Sequence, residues 1–357
     1  MLENFHQVVE NRHRYAKEWK TRTGGKVVGC FCSYVPEEIL YAAGILPVRM
    51  LGSNEPQDIS ESHIASMFCP FSRELLAQGL QGRYDYLDGI VQAKSCMHLQ
   101  NAFDSWRIHV PAAFSHFISM PFLVGAAELK HTKPFLLSEF QDFQKSLEKW
   151  LGKPIRQEEL AQAIGVYNEN RRLLLQLYQS RRSNPPLISG TEALEAVLSS
   201  MFSDKREHNG WLKAALSQLS QRQDGPRGAT RLMVVGSEWA DPDLFRFIEA
   251  AGANIVADEM CTGSRYFWNE VPAGDNLLEA IATRYLNRPP CPIKDMKARH
   301  RFEFIDQMVQ DYKVQGVVLL QQKFCDPHEF DMPPLASFLR ERGIPSYFIE
   351  VDITTSR

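Results

Sequence analysis

The chain has 357 residues, of which 44% are hydrophobic and 23% are charged, a globular composition long enough for two or three domains. Its formal net charge of -3 argues against nucleic acid or an anionic membrane as a partner and favours small molecules or other proteins. The charged N-terminus lacks the apolar core of a signal peptide, and no apolar run reaches the roughly 18 residues of a membrane span, so a cytoplasmic location is expected.

The seven cysteines do not suggest a disulfide framework. Their number is odd, and the chain is large and expected to be cytoplasmic. Thiolate chemistry or simple burial must therefore account for them.

The first third of the chain predicts a helix and then an α/β domain. Residues 1–25 form a charged amphipathic pattern that ends at two glycines, and a first α/β domain is expected over residues 26–133. Its predicted strands are residues 26–29, 45–50, the apolar run from 89 and 108–114. Two helices are predicted to begin at Pro36 and Pro70, and a third is predicted over residues 99–106. This alternation is typical of a parallel sheet with crossover helices.

The rest of the chain repeats the pattern after a helical segment. Residues 134–225 predict a helical connector, with helices over 158–182 and 191–202, and the turn formers at 223–228 mark a boundary. A second α/β domain is expected over 226–357, with strands at 231–236, 254–258, 316–322 and 344–351 and helices at 277–286 and 296–312.

Short motifs at the start of the two α/β units align loosely. Val28-Gly29, Pro36-Glu37 and Ala43-Gly44 correspond to Val235-Gly236, Pro242-Asp243 and Ala251-Gly252. The predicted fold class is therefore α/β, with two similar parallel-sheet domains of flavodoxin or Rossmann type that face each other and are joined by a helical segment.

Three cysteines lie where such a fold binds ligands. Cys96 and Cys325 follow apolar strands in corresponding parts of the two units, and ligands of open α/β sheets bind beyond the carboxyl ends of the strands. Cys69 precedes a proline-started helix, whose dipole favours a thiolate. Three thiolates suit an iron-sulfur cluster with one iron open, whereas structural zinc prefers four ligands at short spacing. A single buried cysteine is more often a small core residue, so the spacing alone is a weak signal.

The other candidate residues have plainer interpretations. Cys30 and Cys32 could supply a further ligand, but they fit a strand end and a packed loop. Cys261 and Cys291 are expected to be structural. His98 and His328 could donate a hydrogen bond or a proton near the site, although a place in a polar loop is the commoner explanation. Neither a GxGxxG sequence nor a Walker A lysine is present, so dinucleotide or ATP binding is not supported.

Several separated motifs resemble the 2-hydroxyacyl-CoA dehydratase and benzoyl-CoA reductase family across nearly the whole chain. They are Ser33-Tyr34-Val35-Pro36-Glu37-Glu38, Cys69-Pro70, Ser95-Cys96, Gly263-Ser264-Arg265-Tyr266, Arg288-Pro289-Pro290-Cys291-Pro292 and Lys323-Phe324-Cys325-Asp326-Pro327. The resemblance implies a [4Fe-4S] cluster held by Cys69, Cys96 and Cys325. It also implies a heterodimer with a homologous cluster-bearing subunit, which receives electrons from an ATP-hydrolysing iron-sulfur activator and, indirectly, from ferredoxin.

Within the family, three segments look most like the smaller cluster-bearing subunit of ATP-dependent benzoyl-CoA reductase. They are residues 68–73, 96–98 and 103–106. This resemblance implies one-electron reduction of an aromatic acyl-CoA. Two alternatives remain: a subunit of a 2-hydroxyacyl-CoA dehydratase, and a non-catalytic electron-relay subunit whose partner holds the substrate. No catalytic residue is assigned.

Overall fold

Two four-stranded parallel sheets form the framework of the molecule. The computed structural model describes residues 2–53, 55–122, 130–219, 221–222, 225–295 and 299–352. The strands are β1 (Lys26–Cys30), β2 (Ile45–Arg49), β3 (Gly89–Ala93), β4 (Phe114–Ile118), β5 (Thr230–Gly236), β6 (Ala253–Glu259), β7 (Gly316–Gln322) and β8 (Ser346–Val351). The strand orders are β2-β1-β3-β4 and β6-β5-β7-β8.

The two sheets therefore have the same topology, which confirms the predicted fold class. In each sheet the first strand pairs in parallel with the second and the third. The third strands, β3 and β7, are buried along their whole length, as expected for strands covered on both faces. Because β3 leads to Cys96 and β7 leads to Cys325, the two cysteines occupy equivalent places.

Fourteen helices connect and cover the sheets in the described ranges. They are α1 (Leu2–Glu10), α2 (Arg12–Thr23), α3 (Glu37–Ala42), α4 (Pro70–Leu80), α5 (Met97–His109), α6 (Thr132–Leu151), α7 (Gln157–Gln179), α8 (Gly190–Ser200), α9 (Lys205–Leu219), α10 (Asp243–Ala250), α11 (Ser264–Phe267), α12 (Leu277–Asn287), α13 (His300–Asp311) and α14 (Asp326–Glu341). Short 3-10 helices cover Asp58–Ser60, Ser180–Arg182 and Pro292–Lys294.

The helices between the sheets pack against elements on both sides. Helix α7 contacts α3 and α12, α6 contacts α12, and α8 contacts β6. Helix α8 begins with a capping box in which Ser189 and Glu192 satisfy each other's backbone N–H groups. The helical segment is thus a packed element of the core.

Some predicted boundaries need correction. The expected single helix at 1–25 is two helices that meet at Asn11, and α1 packs on α8. The expected strand at 108–114 is wrong, because α5 continues to His109 and the strand runs from Phe114 to Ile118. Pro111 cannot donate to a sheet ladder, and the parallel register begins by pairing Gly89 with Phe114.

Two further predictions fall partly on residues outside the described ranges. The helix expected at 296–312 is seen from His300 to Asp311, while residues 296–298 lie outside those ranges. Residues 223 and 224 of the expected boundary at 223–228 lie outside them as well. None of the helices in the described part of the chain combines the length and apolarity needed to span a bilayer.

Candidate metal centre at three helix N-termini

Each of the three predicted ligand cysteines occupies the N-cap position of a helix. Cys69 precedes α4, Cys96 precedes α5 and Cys325 precedes α14. The first turn of a helix has backbone N–H groups without intrahelical partners and carries the positive end of the helix dipole. Each of the three cysteines therefore lies at a helix position that favours a negative charge on its sulfur.

His98 joins the segments that carry these three cysteines. It lies two residues after Cys96, and its Nδ1 accepts a hydrogen bond from the Cys69 backbone N–H at 3.2 Å. Its Nε2 lies 3.3 Å from a carboxylate oxygen of Asp326, the residue after Cys325. The Phe68 ring stacks on the imidazole at a centroid distance of 4.4 Å. The acceptor role of Nδ1 assigns the proton to Nε2, which faces Asp326.

A second contact links the start of α4 to the other sheet. The Phe71 N–H donates to Oε1 of Gln322, the last residue of β7, at 3.2 Å. The Gln322 amide donates in turn to the backbone carbonyl of Glu238 at 2.6 Å. Glu238 is buried, and its Oε1 accepts a hydrogen bond from the Gly52 N–H at 3.2 Å. The loop of Cys69 is therefore fixed between the two sheets.

The three thiols are close enough to influence one another's charge. Burial raises the pKa of the Cys325 thiol well above its usual range, and the Cys69 and Cys96 sulfurs raise it further. Burial also raises the pKa of Cys96, with a smaller contribution from Cys69. For Cys69, burial raises the pKa, while hydrogen bonds with Ser72 oppose that effect. As free thiols these groups are protonated at neutral pH, and a bound metal would displace the protons.

The donor set fits an iron-sulfur cluster in its chemistry. Thiolates are the ligands such clusters use, and Cys69 is buried while Cys96 and Cys325 are half-buried. Within the described ranges, no three or more His, Cys, Asp or Glu side chains are arranged to hold a metal ion. The assignment of these three cysteines as ligands therefore remains a prediction.

The other four cysteines are also free thiols. Cys30 ends β1 in the core, and Cys32 is buried in the turn that follows. Cys261 and Cys291 are half-buried, and the Cys291 N–H donates to the Tyr34 hydroxyl at 3.1 Å. Cys291 also acts electrostatically on Cys96 and Cys325, so it lies beside the candidate site.

The polar-loop interpretation of the two histidines is wrong. His98 and His328 lie in the first turns of α5 and α14, and both are buried. His328 Nδ1 is buried and has no hydrogen-bond partner in the described part of the chain. Burial lowers the pKa of His328 well below its usual range, and the charges of Arg265 and Arg301 lower it further. No local pattern indicates this burial, because contacts such as the stacking of Phe68 on His98 join segments that are separate in the chain.

Motifs that carry the family resemblance contact one another in the folded chain, although they are far apart in the sequence. The Tyr266 hydroxyl donates to Glu37 at 2.8 Å, and Arg288 Nη1 donates to the Ser33 carbonyl at 2.5 Å. Lys205 Nζ, which is buried, donates to the same Tyr266 hydroxyl at 2.9 Å. These motifs thus form one polar contact between the two halves of the chain.

Exposed apolar side chains flank each of the three cysteines. Met67 is 67% exposed, Met97 is 73% exposed and Phe324 is 37% exposed. They lie two residues before Cys69, one after Cys96 and one before Cys325. We call these three side chains the apolar rim. Each predicted ligand therefore has a large exposed apolar side chain within two residues of it in the sequence.

Comparison with known proteins places the chain among enzyme subunits. It matches the family model "2-hydroxyglutaryl-CoA dehydratase, D-component" over residues 32–357. It is 27% identical to the (R)-phenyllactyl-CoA dehydratase beta subunit of Clostridium sporogenes, over 98% of this chain and 92% of that protein. It is 25% identical to a benzoyl-CoA reductase subunit of Thauera aromatica, over 92% of this chain and 86% of that protein.

A third relative has a similar likeness. The chain is 25% identical to the beta subunit of (R)-2-hydroxyglutaryl-CoA dehydratase of Acidaminococcus fermentans, over 99% of this chain and 94% of that protein. The match to the family model covers well over half of the chain, and its range includes all three helix N-termini. The chain therefore belongs to the 2-hydroxyacyl-CoA dehydratase and benzoyl-CoA reductase family.

Proposed function

We propose that this chain is the iron-sulfur subunit of an enzyme that activates acyl-CoA thioesters by single-electron transfer in the cytoplasm. Cys69, Cys96 and Cys325 would hold one [4Fe-4S] cluster. The observation that carries the proposal is their common position at helix N-caps, with His98 joining the three segments. When bound, such a cluster accepts and releases single electrons, and with three protein thiolates one iron has no cysteine ligand.

The residues around the cysteines would bind and orient this group. The backbone N–H groups at the starts of α4, α5 and α14 would stabilise its negative charge. His98 would hold the Cys69 and Cys325 segments in register, since it contacts both through opposite ring nitrogens. Phe68, stacked on His98, would limit the access of water.

The apolar rim supports an interaction with a second protein. An electron can reach the site only if a donor approaches the face on which the cysteines lie. Met67, Met97 and Phe324, which flank the cysteines in the sequence, are exposed and would meet such a donor. We propose that the partners are a homologous cluster-bearing subunit and an ATP-hydrolysing iron-sulfur activator supplied by ferredoxin. All three relatives are named as subunits of larger enzymes, which fits such an assembly.

Reduction of an aromatic acyl-CoA, as in benzoyl-CoA reductase, is the first candidate reaction. Support comes from the segments at 68–73, 96–98 and 103–106 and from the likeness to the Thauera aromatica reductase subunit. In this reaction an electron from the activator enters the ring system, with the thioester carbonyl helping to accept charge.

Dehydration of a 2-hydroxyacyl-CoA is the second candidate. It is favoured by the likeness to two dehydratase beta subunits, which is as high as the likeness to the reductase subunit. A dehydratase would use one recycled electron to eliminate water, whereas a reductase consumes electrons in every turnover.

The decisive experiment co-expresses this chain with its genomic partner subunit and activator under anaerobic conditions. We expect about one [4Fe-4S] cluster in this chain by iron, sulfide and EPR analysis. Electrons consumed in proportion to product from benzoyl-CoA would establish the reductase. Product from a 2-hydroxyacyl-CoA with substoichiometric electrons would establish the dehydratase. Substrate contacts confined to the partner would establish the electron-relay role, and zinc in place of iron would contradict the proposal.

A further inference from the structure

Among the residues that the structure describes, Lys294 is a buried ammonium group with which no carboxylate pairs. Its side chain is 0% exposed. In the described ranges no Asp or Glu lies within ion-pair distance of its Nζ, and the adjacent Asp295 pairs with His300 instead. A buried charge is costly unless a group of opposite charge compensates it. The structure therefore leaves the counter-charge of Lys294 to be explained.

The position of Lys294 links it to the segments of two predicted ligands. Its Nζ donates to the Lys94 carbonyl at 2.6 Å and to the Met120 carbonyl at 3.2 Å. Lys94 lies between the end of β3 and Cys96. The ammonium thus contacts the segment that leads to Cys96. The 3-10 helix that carries Lys294 also packs on α14, the helix that begins after Cys325.

Besides the two carbonyls, the described surroundings of the ammonium include two aromatic rings, three thiols and the Lys94 side chain. The Phe122 and Tyr34 ring centroids lie 4.8 and 5.8 Å from Nζ. Burial lowers the pKa of Lys294 to about 8; the Cys32, Cys291 and Cys96 sulfurs raise it, and the charge of Lys94 lowers it. At pH 7 the ammonium form therefore dominates, and among the described residues the nearby groups that can compensate its charge are thiolates.

We infer that Lys294 is the counter-cation of the thiolate-bound cluster and a positioning residue that favours the reduced state of the cluster. This inference rests on the proposed function. Reduction adds one negative charge, and a fixed positive charge in a low-dielectric site stabilises that state. The electron comes from an external one-electron reductant, such as Ti(III), which becomes Ti(IV). Lys294 transfers neither a proton nor an electron.

The test is an anaerobic potentiometric titration of the full chain, followed by EPR. In Lys294→Met the midpoint potential should become more negative. At the wild-type midpoint the ratio of reduced to oxidised cluster should fall at least about threefold, a change read directly from the one-electron Nernst relation. Lys294→Arg keeps the charge and should stay within about twofold of wild type. Lys145→Met is the control, because it removes the same charge from an exposed, solvent-screened side chain of α6.

The outcomes separate this inference from the proposed function. Normal cluster content with an unchanged ratio in Lys294→Met, whatever its melting temperature, would overturn the counter-cation role and leave the proposed function intact. If Lys294→Met does not retain the cluster, Lys294→Gln replaces it as the neutral variant. Cluster loss in both neutral variants with retention in Lys294→Arg would support the role. A wild-type chain that never takes up a cluster would overturn both proposals.

Discussion

At the residue scale, position on a helix distinguishes Cys69, Cys96 and Cys325 from the cysteines of the core. Each of the three caps an α-helix, whereas Cys30 lies within a strand. Cys291 precedes only a short 3-10 helix, and its backbone N–H is bound by Tyr34. The N-cap position gives a thiolate nearby backbone donors that a strand residue lacks.

Replacement of Cys325 should therefore differ from replacement of Cys291. We expect Cys325→Ser to lose most of the iron and sulfide and to melt at a lower temperature, because the free energy of metal binding is also folding free energy. Cys291→Ser should keep the cluster and lose only about 1 kcal/mol of packing stability. Anaerobic absorbance, EPR and thermal melting measure both effects. Full occupancy in Cys325→Ser with loss in Cys291→Ser would assign the third ligand to Cys291.

His13, which lies far from the three predicted ligand cysteines in the sequence, is expected to make the unfolding free energy depend on pH. Burial lowers its pKa to about 3, and the charges of Arg12, Arg83 and Lys17 contribute. Its Nδ1 lies 3.1 Å from the Tyr86 hydroxyl. Between pH 6.5 and about 3, the unfolded chain binds a proton at this site that the folded chain does not bind. The unfolding free energy should therefore fall as the pH decreases through this window, by up to about 1.4 kcal/mol per pH unit from this group.

His13→Gln should make this pH dependence shallower without abolishing it, because burial also lowers the pKa of His208. The measurement is urea unfolding at several pH values between 4 and 7. The control is His131→Gln, which changes an exposed histidine. An identical slope in His13→Gln and wild type would show that His13 does not contribute.

At the element scale, the strands of the two sheets were predictable where they are apolar and buried. Strands β3 and β7 are continuous apolar runs, and their type follows from the sequence. Strand β4 contains Ser115 and His116 and is only partly buried, so its local pattern is weak. Its position depends on pairing with Gly89 and on how far α5 extends, and neither is a local property.

The packing of the helices predicts opposite effects on stability when two glycines are replaced by alanine. A Cβ on Gly79 of α4 would lie 2.4 Å from the Trp106 ring of α5, whereas a Cβ on Gly165 of α7 would meet nothing within 4 Å. Gly79→Ala should destabilise the protein by about 1–3 kcal/mol through overpacking. Gly165→Ala should stabilise it by about 0.5–1 kcal/mol through helix propensity. Denaturant midpoints measure both. Equal stability of the two variants would mean that α4 and α5 are not packed as described.

At the scale of the whole molecule, the contacts that shape the candidate site join distant segments. Lys294 and the Lys94 carbonyl are 200 residues apart, and Phe71 and Gln322 are 251 residues apart. The sequence could indicate Cys69, Cys96 and Cys325, because each follows a local strand or helix signal. It could not indicate Lys294, Gln322 or the burial of His98, because only the folded chain brings their partners to them.

The chain alone should not bind ATP tightly. Its sequence has neither a Walker A lysine nor a GxGxxG turn with which to hold phosphates, and in the proposed function ATP is hydrolysed by a separate activator. Isothermal titration of the purified chain with MgATP should give no measurable heat at micromolar concentrations. Saturable binding at those concentrations would show a nucleotide site that the sequence does not reveal.

Cluster binding should also couple the two sheets, because the three predicted ligands begin helices that belong to both. Cys69 and Cys96 precede α4 and α5 beside the first sheet, and Cys325 precedes α14 beside the second. A ligand whose free concentration is 100 times its dissociation constant stabilises the folded state by about 2.7 kcal/mol. Anaerobic hydrogen exchange should therefore slow together in the first turns of α4, α5 and α14 when the cluster is loaded. The first turn of α7, which is exposed and has no predicted ligand, serves as the internal control and should not change. Slowing in α4 and α5 without α14 would mean that Cys325 is not a ligand and that the site belongs to the first sheet alone.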